Sequence, residues 1–208
     1  AHHFIPCVKG TDSGMLDVLT GAFKYGAGKG AELTPAGAYA TVADDGYAAS
    51  TVDKNAQGGV IAGPIVNTGY FMTPRSRIEV DFRYPQTPTG NILFGPWRNG
   101  CQLSTICWNT DGVFGFSLGD GGLQNVKSTI SCDARRHTAV VDVLNKKVRL
   151  VRNGVVEWEG GCKSGATCNN TAAWPIVLYG DMTDAKGNGD QWVSAQIYGV
   201  KIFENDVL

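Results

Sequence analysis

The last eighteen residues, 191–208, constrain the fold more than any other part of the chain. Apolar and polar residues mostly alternate from Trp192 onward, and many of them are β-branched or aromatic. This period of two predicts a long β-strand. The alternation assigns Ile197, Gly199, Lys201 and Phe203 to one side and Tyr198, Val200 and Ile202 to the other. Both sides carry bulky residues, which predicts a central strand that is covered on both faces.

The final strand reaches the end of the sequence on two apolar residues, Val207 and Leu208. We therefore expect another segment to continue it, and the first residues of a chain are the candidates. Phe4, Ile5 and Pro6 form a short apolar run there. Because proline cannot donate to a ladder, this run is expected to be an edge strand or a strand end. These five residues are the predicted assembly contacts.

Composition indicates one all-β domain without a nucleic-acid or membrane partner. The chain has 208 residues, enough for one core, and its 28 glycines suit many short strands and turns. The net charge is −1 and only 18% of residues are charged, whereas nucleic acid requires a basic face. No apolar run approaches the roughly 20 residues of a membrane span.

About a dozen strands and no helix are predicted from the pattern of alternation and turns. Asn153-Gly154, between alternating segments, is a strong hairpin signal. The predicted strands cover residues 38–42, 59–61, 77–84, 91–97, 113–118, 125–130, 137–144, 148–152, 155–158, 174–179 and the final segment. This spacing predicts an all-β fold, a two-sheet antiparallel sandwich of jelly-roll type.

Six cysteines predict disulfides and therefore a secreted, extracellular protein. The spacings do not match a zinc ribbon. They indicate two local disulfides and one long-range disulfide: Cys162–Cys168, Cys101–Cys107 and Cys7–Cys132.

Candidate modification and metal sites are weak. Asn169 begins a glycosylation sequon, for which an unmodified polar turn is the alternative. His2 and His3 would point to opposite faces of a strand, so solvent exposure is favoured over metal binding. One loop has oxygen ligands suited to calcium, but its spacing matches no established calcium loop, so a solvated acidic loop is favoured over a metal site and no cofactor is predicted. The calcium candidates are Asp181, Asp184, Asn188 and Asp190.

Three segments, taken in order, carry a resemblance to a known family. They are residues 66–85, residues 136–156, and the closing pair 174–181 with 195–208. The set resembles the concanavalin A-like, laminin-G-type domains of bacterial extracellular proteins, which implies the same sandwich fold.

The resemblance also implies that the closing segment has moved to the front of the chain. In that family the final strand runs on into a Phe-x-Pro-Cys segment, a Gly-Leu-Tyr-Asp-like stretch and a Thr-Gly-x-Phe turn. Similar features occur here at residues 4–7, 14–17 and 20–23, with Leu16 in place of the tyrosine. We therefore expect a closing or donor segment over 1–30 and a sandwich over 31–208.

Some enzymes with the resembling fold are glycoside hydrolases with a Glu-x-Asp-x-x-Glu strand. Glu79 and Asp81 match its first half, but the second glutamate would fall at Arg83 or Tyr84. Without an acid partner no catalytic pair exists. Glu79 and Asp81 are therefore predicted to be solvated, outward residues of a non-enzymatic protein.

Two functions are favoured, and a degraded or unrecognised glycan-active enzyme comes third. The first is a structural one: a subunit of a cell-surface filament or adhesive fibre, in which residues 1–25 complete a neighbouring copy of the chain. A closed permutant, or a unit of a tandem array, would not need this donation. The second function is a carbohydrate-binding module for polysaccharide, with Trp97, Trp108 and Tyr84 stacking on sugars; core packing is the alternative for these rings.

Overall fold

The computed structural model describes a chain of antiparallel strands. The described residues are 3–6, 15–16, 23–24, 40–42, 48–50, 53–54, 56, 60–62, 65–67, 73–84, 92–95, 104–107, 112–117, 125–161, 176–182, 189–190 and 192–205. Within these ranges every pairing is antiparallel and no helix occurs, so none is long and apolar enough to cross a membrane.

Twenty strands are described, many of them short. The first ten are β1 (His3–Pro6), β2 (Met15–Leu16), β3 (Phe23–Lys24), β4 (Ala40–Val42), β5 (Ala48–Ser50), β6 (Asp53–Lys54), β7 (Val60–Ala62), β8 (Val66–Asn67), β9 (Ser76–Arg83) and β10 (Ile92–Gly95). The others are β11 (Ser104–Cys107), β12 (Val113–Ser117), β13 (Asn125–Ser131), β14 (Arg136–Asp142), β15 (Lys147–Arg152), β16 (Val155–Gly161), β17 (Val177–Leu178), β18 (Asp181–Met182), β19 (Gly189–Asp190) and β20 (Gln196–Glu204).

Two large sheets form the sandwich. The larger sheet has the order β16-β15-β14-β9-β20-β5-β4, with β1 also paired to β20. The smaller sheet has the order β13-β12-β11-β10-β17-β8, and three two-stranded ladders complete the described strands. β20 is thus an interior strand, as predicted, but its outer face is not covered as expected, because Lys201 on that face is exposed.

One hydrophobic core lies between the two sheets. Strand β9 alternates strictly, with Ile78, Val80 and Phe82 buried and the residues between them partly exposed. These side chains pack in one cluster with Phe114 and Phe116 from the smaller sheet. The sheets bury their apolar faces against each other, which is the arrangement of a β-sandwich.

A β-bulge in β20 corrects the predicted sidedness of the final strand. Ile197 lies opposite Phe82 and Gly199 lies opposite Asp81, so Tyr198 is an extra residue in the ladder. As a result Ile197 and Val200 both face the core. The simple alternation that placed them on opposite sides was wrong, because a bulge shifts the parity of every residue beyond it.

Two strands from distant parts of the chain share one edge of β20. β5 pairs with Gln196 and Ile197, whereas β1 pairs with the stretch from Gly199 to Ile202. Both run antiparallel to β20, so they lie end to end along its edge. The pairing of β1 is within the same chain; the division into segments 1–30 and 31–208 stays a prediction.

Most predicted strands of the second half of the chain are present. The Asn153-Gly154 turn joins β15 to β16, with φ values of 50° and 77° that suit a tight two-residue hairpin. Strand β11, which ends at Cys107, was not predicted, because the sequence there was interpreted only as a disulfide loop.

Candidate functional site

The outer face of the larger sheet carries a polar groove where β9, β14 and β20 run side by side. The groove has a volume of about 300 Å³ and is lined by Glu79, Asp81, Arg136, Thr138, Tyr198, Gly199 and Lys201. Ligand pockets in proteins begin at about this volume and combine apolar surface with a few convergent polar groups.

The bulge in β20 is what brings an aromatic ring to this groove. Tyr198 occupies the extra position, and Gly199 next to it lies opposite Asp81. Tyr198 is half-buried, and both residues line the groove. In a regular strand continued back from Val200 and Ile202, which face the core, Tyr198 would face the core as well; the bulge lets it lie on the outer face, as bulges near functional sites do.

Arg136, at the start of β14, connects this ring to the carboxylate of Asp81. Its Nε lies 2.9 Å from Oδ1 and 3.1 Å from Oδ2 of Asp81, and its Nη2 also donates to Oδ2. The guanidinium carbon lies 3.8 Å from the centre of the Tyr198 ring. A bidentate ion pair stacked on an aromatic face holds its members in one geometry.

A similar arrangement lies further along the same face. Arg77 lies over the Phe203 ring at 3.9 Å, and its Nε is 3.3 Å from Oε1 of Glu79. Lys201 lies directly across from Glu79 in the register of β20 and β9. Glu79 and Asp81 are therefore held among cations and are not the solvated residues that the sequence predicted.

A buried histidine forms a second polar cluster, outside the groove. The side chain of His137 is 0% exposed; its Nε2 lies 2.8 Å from Asp133 Oδ1 and its Nδ1 lies 3.4 Å from Glu157 Oε2. Burial alone would raise the pKa of Asp133, but hydrogen bonds from His137 and from Arg135 hold it below its usual range. This cluster joins β14 to β16.

Tyr84 is a core residue and cannot bind sugar, which corrects one predicted contact. It is completely buried, its ring stacks on Phe114 at 6.2 Å, and burial raises the pKa of its hydroxyl. An enclosed ring offers no face to a ligand. The other two predicted sugar-binding residues, Trp97 and Trp108, lie outside the described residues.

The predicted acidic loop is only partly described. Asp181 is fully buried, which contradicts a solvated position, and its backbone pairs with that of Asp190 in the β18–β19 ladder. Asp184 and Asn188 lie outside the described residues. In the described ranges no group of three or more histidine, cysteine, aspartate or glutamate residues could hold a metal ion.

Among the cysteines of the predicted disulfides, the bonding state is described for one. Cys132 is buried and disulfide-bonded. Cys107 ends β11. The pairing Cys7–Cys132 and the two local pairings stay predictions, because the remaining cysteines lie outside the described residues: Cys7, Cys101, Cys162 and Cys168.

The predicted assembly contacts are described at the backbone of β1. Phe4 lies opposite Lys201, Ile5 opposite Val200, and Pro6 opposite Gly199. Val207, Leu208 and the glycosylation candidate Asn169 lie outside the described residues.

Sequence reasoning missed Arg136 and Tyr198. One signal for them was present: a lone glycine within an alternating strand, as at Gly199, often marks a bulge. The contact between Arg136 and Asp81 has no local signal, because the two residues are far apart in sequence and meet only through the pairing of β14 with β9.

Comparisons with known proteins give the fold. No family model matches the chain, and no curated protein matches its sequence. Structural similarity is clear at low identity. A structure of botulinum neurotoxin type C, a protein that interacts with two ganglioside molecules, aligns over 97% of this chain and 47% of its own, with a TM-score of 0.54 and 12% identity. This chain therefore spans about half the length of that neurotoxin chain.

Two further structures are similar over less of the chain. A glycoside hydrolase family protein from Mycobacterium thermorestibile aligns over 79% of each chain, with a TM-score of 0.50 and 13% identity. The CBM40 of Ruminococcus gnavus IT-sialidase, bound to α2,3-sialyllactose, aligns over 65% of this chain and 78% of its own, with a TM-score of 0.42 and 18% identity. The chain thus has the concanavalin A-like, jelly-roll β-sandwich fold that its sequence predicted.

Proposed function

We propose that this protein is a non-catalytic, extracellular carbohydrate-binding module, and that saccharide binds in the groove on the larger sheet. The observation that carries the proposal is the groove itself: a half-buried tyrosine beside two carboxylates, two cations and the Thr138 hydroxyl. Sugar rings combine an apolar face with hydroxyls that donate and accept, so they match this mixture of groups.

The fold supports the same function by analogy only. Proteins with this sandwich include one that interacts with gangliosides and one described as a glycoside hydrolase. One fold can carry several functions, so the argument depends on the groove. The extracellular location is supported by the six cysteines and by the disulfide at Cys132.

Catalysis is disfavoured because both groove carboxylates lie against arginine side chains. A retaining glycosidase needs an acid and a nucleophile about 5–5.5 Å apart, each directed at the substrate. Both oxygens of Asp81 accept hydrogen bonds from Arg136, and Glu79 lies beside Arg77. Arg83 ends β9 and Tyr84 follows it, and neither residue supplies a third carboxylate.

Calorimetric titration with a panel of oligosaccharides tests the proposal through one matched pair of variants. Tyr198→Ala is expected to weaken saccharide binding about five- to tenfold, or about 1–1.4 kcal/mol, because it removes the aromatic surface of the groove and the ring on which Arg136 is stacked. Phe203→Ala is the control: Phe203 lies on β20 like Tyr198 and also packs under an arginine, but it is not part of the groove lining. Equal losses in both variants, or no binding by the unmodified chain, would refute the proposed site. Release of reducing ends would refute the non-catalytic part.

A second candidate function is a head-to-tail assembly through β1, and the shared edge of β20 favours it. β1 contributes a ladder of only four residues, one of them Pro6, which has no N–H to donate. In this chain β1 covers the edge of its own β20, so assembly would require β1 to leave that edge and pair with the same edge of another copy, as in a domain swap. The subunit of an extracellular filament would form in this way.

Mixing isotope-labelled with unlabelled chains, followed by mass-spectrometric mapping of the Cys7 disulfide, tests the assembly. Cross-linked peptides that carry both labels, together with sedimentation that depends on concentration, are expected for an assembly. Only same-label peptides from a particle that sediments as a monomer would contradict it and would leave saccharide binding as the function.

A further inference from the structure

The charges in the groove balance one another, and this bears on the class of saccharide that fits. Its lining contains two carboxylates, Glu79 and Asp81, and two cations, Arg136 and Lys201. Resting on the proposed function, we propose that the groove selects uncharged saccharides and discriminates against sialic acids and other sugars that carry a carboxylate.

Arg136 is the residue that would ordinarily recognise an acidic sugar, but its hydrogen-bonding edge is already used. Its Nε and Nη2 both donate to the Asp81 carboxylate, and its flat face covers Tyr198. Arginine binds carboxylates best through two parallel N–H donors. A ligand carboxylate that used the same Nε–Nη2 edge would have to displace Asp81, and one that used the remaining N–H groups would still lie beside the Asp81 anion.

Glu79 reinforces the discrimination at the other end of the groove. It lies between Arg77, 3.3 Å away, and Lys201, its neighbour across the β9–β20 ladder. Opposite charges placed across a ladder attract each other, so the charge of Lys201 is balanced within the protein. An anionic ligand would meet two carboxylates in a groove whose own lining has no excess of cations, since Arg77 lies beside Glu79 but outside that lining.

The same groups suit hydroxyls. Carboxylate oxygens accept hydrogen bonds, the lysine ammonium donates them, and the Thr138 hydroxyl does both. An uncharged sugar can use each of these without breaking the pair between Arg136 and Asp81. Because no net charge is neutralised on binding, the affinity is expected to depend little on ionic strength.

Pairs of oligosaccharides that differ only in an acidic sugar test which class of saccharide binds, separately from whether any saccharide binds. An immobilised panel would present each oligosaccharide with and without a terminal sialic acid or uronic acid, beginning with lactose and α2,3-sialyllactose. Affinities for the partners that bind would then be measured by calorimetry at low and high sodium chloride. We expect binding to be confined to uncharged members, to weaken about tenfold or more on addition of the acid, and to vary less than about twofold with salt.

Variants with equal changes of charge extend the test. Asp81→Asn releases the donor edge of Arg136 and is expected to improve binding of the acidic partner several-fold relative to the uncharged one. Glu159→Gln removes one negative charge from the same face, where Glu159 pairs with Lys147 and Arg149 outside the groove, and should leave the preference unchanged. Glu79→Gln provides a second groove variant if Asp81→Asn does not fold.

The outcomes are distinguishable. Tighter, salt-sensitive binding of acidic sugars by the unmodified chain would overturn the inferred class and leave saccharide binding in the groove intact. A shift of preference in Glu159→Gln as large as that in Asp81→Asn would also overturn it, because general surface charge would then explain the effect. Absence of binding to every saccharide would refute the proposed function, and the inferred class with it.

Discussion

Replacement of His137 by alanine tests whether the buried cluster joins β14 to β16 at one end of the larger sheet. The imidazole contacts a carboxylate through each nitrogen, Asp133 from the turn before β14 and Glu157 from β16. It also packs against Phe114 with a ring separation of 5.1 Å. Alanine removes both polar contacts and leaves a void beside an aromatic ring.

The expected loss of stability is about 2–4 kcal/mol. Removing one partner of a buried hydrogen bond costs about 1–3 kcal/mol when the other group is left unsatisfied. Here each carboxylate keeps an arginine, Arg135 for Asp133 and Arg152 for Glu157, which lowers the cost. The void adds a further loss of packing, at about 1 kcal/mol for a group of this size.

Urea unfolding at neutral pH, with the disulfides kept intact, measures this loss. Arg135→Ala is the matched control, because it removes the exposed partner of the same carboxylate and is expected to cost less than about 1 kcal/mol. Equal costs for the two variants would refute the reasoning that the buried imidazole joins the strands.

The pH dependence of unfolding stability gives an independent test of the role of His137, and its direction can be predicted. The pKa of Asp133 is lower in the folded chain than its usual value, so the associated stabilisation is present above the usual value and is lost as pH falls through the lowered one. Because His137 is a main source of that shift, the stability gap between the unmodified chain and His137→Ala should narrow below about pH 4. A gap that stays constant to pH 2 would contradict this assignment.

Three further substitutions test the packing of the sandwich. Gly160→Ala should cost about 1–3 kcal/mol in urea unfolding, because a Cβ there would lie 2.8 Å from Cζ2 of Trp158; an unchanged midpoint would contradict the packing. Tyr84→Phe should stabilise the fold by about 1 kcal/mol and raise the melting temperature, since the buried Tyr84 hydroxyl has no hydrogen-bond partner in the described part of the chain. A lower melting temperature would indicate that the hydroxyl has such a partner. Glu204→Ala should cost about 1–3 kcal/mol and speed amide exchange at the end of β20, because the carboxylate accepts hydrogen bonds from Thr73 at 2.7 and 2.9 Å; unchanged exchange would argue against this anchor.

Particular residues show how far the sequence could predict the site. Glu79 and Asp81 were predicted to face outward, and they do, because alternation along β9 is regular. Their partners were not predictable, because register between β9, β14 and β20 decides which cations lie beside them. Tyr84 was a possible sugar contact with core packing as the alternative, and it is buried, as expected for a residue with the same parity as Ile78, Val80 and Phe82.

Local patterns in the sequence are enough to predict the antiparallel strands, the interior final strand, the Asn153-Gly154 hairpin and the sandwich that they form. These follow from alternation and turn chemistry, which a single segment contains in full. The groove, by contrast, arises only when the strands pair. A one-residue bulge at Tyr198 and the placement of Arg136 beside Asp81 depend on how remote strands align, and that alignment is set by packing across the whole sheet.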